Sequence, residues 1–177
     1  TSRQRPEREV WTGGTAPKRL AVVERDSEQA HVVLGMRALC GDDPDRYAFA
    51  VLNQVLGGGM SSRLFQEVRE KRGLAYSVYA YRSAFDETGT FAISAGTAPD
   101  RLPELLEVIG TEIDRVIVDG GVGDDELMAA KGHLTGSLAL SLETSGSRMH
   151  RIGSNELSLG EIATLEELFD RVNVVGA

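Results

Sequence analysis

The sequence predicts an α+β fold, a mainly antiparallel sheet covered by helices, and three observations carry that prediction. Period-two apolar runs are joined by short turns, and helical-period runs follow one another along the second half. A strand, helix, strand crossover pattern does not recur. The 177 residues suit one domain, and a chain of this size buries roughly 70% of its unfolded surface. With 41% hydrophobic and 26% charged residues it is neither disordered, collagen-like nor coiled coil, and no apolar run is long enough to span a bilayer.

The elements follow in order. After a polar lead over 1–17, Arg19 to Glu24 and His31 to Arg37 are β-rich runs around a polar turn, and they read as a hairpin. Asp42-Asp43-Pro44 offers a capping aspartate before a helix carrying Tyr47, Val51 and Val55, which Gly57-Gly58-Gly59 ends. Ser61 or Ser62 is placed to cap a second helix, with Leu64, Phe65 and Val68 on its apolar side and Gly73 as its stop.

A tyrosine-rich strand over Ala75 to Phe85 and a strand over Thr90 to Thr97 flank the short loop Asp86 to Gly89. Leu102, Leu105, Leu106, Ile109, Ile113, Val116 and Ile117 trace one face of a long helix. Asp124 to Ser145 reads as another, with Gly132, Gly136 and Ala139 suggesting close packing on a neighbour. Met149 to Leu157 is helical by period, and Thr164-Leu165-Glu166-Glu167 is a capping box. The chain starts at Thr1 and stops within the apolar run Val174 to Ala177, so it is expected to be a piece of a longer protein.

Charge narrows the function classes. Nineteen basic against 27 acidic residues give −8, which argues against general nucleic-acid binding. Residues 61–76 form a basic island in this acidic chain, with Arg63, Arg69, Lys71 and Arg72 against Glu67 and Glu70. From composition that island is a solvated helix face with a Glu67–Lys71 pair.

His31, His133 and His150 have no metal-ligand spacing, and neither HExxH nor HxxEH occurs, so they read as ordinary histidines. Cys40, the one cysteine, makes no intramolecular disulfide and reads as a small apolar group. The Gly57–Ser62 stretch lacks the Lys and the preceding strand of a phosphate loop, and reads from motif alone as a helix-to-helix joint.

The stretches Gly57-Gly58-Gly59-Met60-Ser61-Ser62-Arg63-Leu64-Phe65, Arg69 to Val78 and Gly96-Thr97-Ala98-Pro99 carry a resemblance. The chain is similar to the C-terminal homologous half of pitrilysin/insulinase-family zinc metallopeptidases, on the processing-peptidase branch, over 18–172. That resemblance implies one of two paired α+β domains closing on a chamber. The N-terminal partner would carry HxxEH and a distal Glu that bind zinc; this half would bind none. It would instead supply an arginine and a tyrosine seven positions later, which match Arg69 and Tyr76. Their role would be to contact the substrate carbonyl, where a preorganised donor is worth about 3 to 4 kcal/mol.

Gly57, Gly58, Gly59, Met60 and Ser61 would line the chamber on the substrate side. The implied partners are the zinc-binding half or subunit and a peptide substrate, with a dimer left open; the implied cofactor is zinc in the complete enzyme. The chain alone would be inactive. The alternative is a catalytically silent relative that binds peptides or serves assembly. The short glycine stretch resembles the catalytic type more than the extended loop of the silent subunits.

Overall fold

The computed structural model describes residues 27–118 and 121–176. Three strands form one antiparallel sheet in the order β1-β3-β2: β1 (Ala30–Ala38), β2 (Ala75–Ala84) and β3 (Gly89–Thr97). The central strand pairs Val33 with Ser94 on one side and Tyr79 with Ser94 on the other. The fold class therefore matches the α+β expectation. The expected strand over Arg19 to Glu24 and the polar lead lie outside the described residues.

Helix α1 (Arg46–Gly57), a π-helical segment (Phe65–Lys71) and α2 (Leu102–Val118) cover one face of the sheet. Between them lies the main core, built on Leu64, Val68, Phe91, Ile93, Leu105 and Ile109. Phe49 meets Phe91 edge-on at 5.6 Å, the arrangement ring quadrupoles favour. Helices α3 (Asp124–Ser141) and α5 (Leu165–Asn173) pack behind α1 through a smaller cluster of Val51, Val55, Ala130 and Val172. Helix α4 (Ser145–Ser158) buries none of its residues.

Local chemistry explains most boundaries. The expected aspartate cap of α1 is not formed, since the helix opens at Arg46, two residues after Pro44, and the Asp43 carboxylate accepts the Asp45 N–H at 2.9 Å in the turn ahead of it. At α5 the capping box closes as expected: the Thr164 hydroxyl accepts the Glu167 N–H at 3.1 Å, and Glu167 accepts the Thr164 N–H at 2.7 Å.

Three further expectations are corrected. The helix from Asp124 stops at Ser141 rather than Ser145, because Thr144 accepts the Ser147 N–H and starts α4. Gly132 and Gly136 are exposed, with nothing within 4 Å of where a Cβ would stand, so they do not mediate close packing. The serine cap is absent because the Ser62 hydroxyl donates to the Gly59 carbonyl at 2.6 Å, closing the turn behind it instead of the helix ahead.

Candidate functional site

Three local features bring Arg69 and Tyr76 together. The Phe65–Lys71 segment is wound as a π-helix, wider than an α-turn. It ends on Gly73 at φ +59°, where a side chain would be strained. Around it the Gly73 N–H donates to the Arg69 carbonyl at 3.1 Å, an αL-type closure, and the Leu74 N–H donates to the Val68 carbonyl at 2.8 Å, with Leu74 and Val68 both buried. Finally, the β2–β3 register shifts between Ala75 and Ser77, so Tyr76 sits in a bulge that re-aims its side chain.

The outcome is a stacked arginine. The Arg69 guanidinium carbon lies 4.6 Å from the Tyr76 ring centroid and 4.9 Å from that of Phe65. Tyr76 is 81% exposed, and the Arg69 side chain is 36% exposed. Among the described residues, the carboxylate within ion-pair distance of this arginine is Glu70, whose Oε1 lies 3.6 Å from Arg69 Nε.

The other cations of the basic island have carboxylate partners. Arg63 donates from Nε to Glu126 Oε1 at 2.8 Å, from NH2 to Glu126 Oε2 at 2.6 Å and to the Gly121 carbonyl at 3.0 Å. Lys71 meets Glu67 at 2.6 Å, as the four-residue spacing predicts, and Arg72 reaches Glu67 at 3.6 Å. On α2, Arg115 holds the buried Glu112 at 2.6 Å.

Together Arg63, Glu67, Lys71, Glu112, Arg115 and Glu126 line a cleft of about 380 Å³ with three charges of each sign. The Lys71 hydrogen bond holds the Glu67 carboxyl below its ordinary range, and the Arg63 hydrogen bonds do the same for Glu126. In return Glu126 raises the Arg63 guanidinium. The island is thus largely neutralised, by its own Glu67 and by Glu126 from α3, the second of which its sequence did not disclose.

The glycine loop divides into a packed part and an open part. Gly57 is buried, and a Cβ there would stand 2.4 Å from the Ala80 backbone nitrogen, so the position is fixed by the approach of α1 to β2. Gly58 and Gly59 rest on the buried Gln54 side chain. Met60 is 76% exposed, Ser61 is exposed, and Gln66 Nε2 donates to the Met60 carbonyl at 2.7 Å. Of the five residues expected to line a chamber, Met60 and Ser61 are those that face solvent.

Among the described residues no group of three or more His, Cys, Asp or Glu side chains is placed to hold a metal ion. The described residues therefore do not fit a zinc centre. Cys40 donates to Asp42 Oδ1 at 3.1 Å, and that hydrogen bond pushes its thiol up, away from thiolate reactivity. No helix among the described residues is long and apolar enough to cross a membrane. Sequence reasoning missed two partners: Phe65, whose four-residue spacing to Arg69 was the available signal, and Glu126, which the sequence showed only as an acidic residue near a helix start.

Residues 6–134 match the family model described as the peptidase M16 inactive domain. The chain belongs to this family. A zinc protease of Streptomyces coelicolor is 48% identical over 157 residues, covering 89% of the chain and 34% of the relative. A Bacillus subtilis zinc protease is 45% identical over 152 residues, covering 86% of the chain and 37% of the relative.

Among solved structures, an M16 inactive domain from Pseudomonas fluorescens superposes with a TM-score of 0.77 at 28% identity, over 85% of this chain and 36% of that one. The inactive peptidase domain of a zinc protease from Bordetella parapertussis shares the fold, with a TM-score of 0.71 at 15% identity over 88% of this chain and 84% of that one. This M16 inactive domain thus spans about a third of the length of the curated relatives it matches. Family and relatives together support a non-catalytic part of a zinc protease.

Proposed function

We propose that this chain is the substrate-binding, zinc-free half of a zinc-dependent endopeptidase that acts on peptides or unfolded segments. The zinc ligands would come from a separate HxxEH-bearing half, so this chain is inactive alone. Arg69 and Tyr76 would donate to the peptide carbonyl region, and the Gly57–Ser61 loop would line the chamber, with Met60 and Ser61 as its contact surface.

The single observation that carries the reading is the placement of an exposed tyrosine in a bulge, directly against a stacked arginine. Peptide hydrolysis moves negative charge onto the carbonyl oxygen, and a phenol O–H beside a guanidinium offers donors to it without rearrangement. Arg69 lies at the end of one segment and Tyr76 at the start of the next, so one turn positions both.

The test is Tyr76→Phe in the full-length protein. Loss of the hydroxyl lowers kcat by about 10²-fold with little change in KM if the donor acts in the transition state. An unchanged kcat removes Tyr76 from that role. A parent gene lacking HxxEH would replace the enzyme reading with that of a peptide-binding or assembly subunit.

A further inference from the structure

We propose that Phe65 is a positioning residue: with Tyr76 it forms an aromatic clamp that fixes the Arg69 guanidinium for a substrate oxygen. The inference rests on the role proposed above for Arg69 and extends it to a side chain outside the Arg69–Tyr76 pair.

The core does not account for Phe65. Its neighbours Leu64 and Val68 are fully buried in the main cluster, whereas Phe65 is half-buried and belongs to neither hydrophobic cluster of the described residues. What its ring does contact is Arg69, at 4.9 Å, with the Tyr76 ring at 4.6 Å from the same carbon. A guanidinium attracted to ring faces presents its N–H donors around its edge.

Those donors stay available here. Among the described residues Arg69 has no side-chain hydrogen bond, and its Glu70 contact at 3.6 Å is an ion-pair distance only. An unclamped arginine loses rotamer freedom when it binds; one already held by two rings loses less, and the donors arrive aimed.

The experiment uses Phe65→Leu, Phe65→Tyr, Arg69→Ala and the Phe65→Leu/Arg69→Ala double variant. In the 177-residue chain, the Arg69 Nε–H resonance is expected upfield of a free arginine. Phe65→Leu should relax it and Phe65→Tyr preserve it. In the full-length protein, Phe65→Leu should lower kcat/KM about two- to fivefold, the fold-change equivalent of one exposed cation–π contact, and Phe65→Tyr should restore it. The loss should vanish in the Arg69→Ala background.

An unmoved Nε–H signal in Phe65→Leu overturns the clamp. An equal loss of kcat/KM with and without Arg69 overturns positioning in favour of a structural role. Undiminished kcat/KM in Arg69→Ala overturns the underlying reading of Arg69. An impaired Arg69→Ala beside an unaffected Phe65→Leu overturns the clamp's positioning role alone.

Discussion

Replacing Arg63 with methionine tests whether the charged cleft is a structural lock. The substitution removes three donor contacts: two to Glu126 at 2.8 and 2.6 Å, and one to the Gly121 carbonyl at 3.0 Å. Exposed ion pairs are worth about 0.2 to 1 kcal/mol and hydrogen bonds to charged groups about 1.5 to 3 kcal/mol. The Arg63 side chain is 17% exposed and Glu126 39%, so the lock falls between those limits. We expect Arg63→Met to cost about 2 kcal/mol, which for a chain of this size lowers Tm by about 4 to 8 °C.

Glu126→Gln keeps one oxygen for the Gly123 N–H but loses the charge and turns the other Arg63 acceptor into an NH2 donor, so it should cost at least about 1 kcal/mol. Urea unfolding of both single variants and the double variant isolates the pair, with an expected coupling of about 1 kcal/mol. The pH dependence fixes the sign. The Arg63 hydrogen bonds hold the Glu126 carboxyl down, so its stabilisation is present above the unfolded carboxyl value near about 4.3 and is lost as pH falls through the lower folded value. The gap between wild type and Arg63→Met is therefore widest near neutrality and closes below about pH 4. A coupling under about 0.3 kcal/mol at pH 7, or a gap that widens in acid, refutes the lock.

Two further predictions concern packing and capping. Gly57→Ala forces a methyl within 2.4 Å of the Ala80 nitrogen and should cost about 2 kcal/mol, while Gly132→Ala meets open space in mid-helix and should gain about 0.5 to 1 kcal/mol; paired melts of the two variants check the contrast. Thr164→Ala removes the hydroxyl that accepts the Glu167 N–H at 3.1 Å, and chemical denaturation should read a loss of about 1 kcal/mol.

Legibility in the sequence tracked the range of the interaction. The strands from His31, Ala75 and Thr90, the Gly73 stop and the Thr164 capping box are set by neighbours within a few residues, and each is where its residues predict. The Tyr76 bulge and the Arg63–Glu126 pair depend on contacts between elements. Glu126 stands 63 positions from Arg63, and no spacing rule links them. The helix break at Leu142 was hidden because the leucine period runs through it, while the stop depends on Thr144 capping the next helix. For the site, the meeting of Arg69 and Tyr76 was foreseeable from the turn at Gly73; the second ring on Arg69 was not read.

The basic island acquires a different meaning once its partners are known. As a cluster of four cations it reads from composition as a solvated helix face in which Lys71 alone is paired, with Glu67. The Lys71–Glu67 hydrogen bond is present, but Arg63 also hydrogen-bonds to a glutamate, Glu126, and Arg72 has Glu67 at 3.6 Å, leaving little net field to steer anything. Arg69 has Glu70 at that same 3.6 Å and differs by what else holds it: two ring faces, which orient a cation without occupying its N–H donors. Under the proposed function, and with no metal-holding group among the described residues, this half would contribute by geometry, which requires a side chain that is both fixed and still able to donate. In the basic island, Arg69 combines the two.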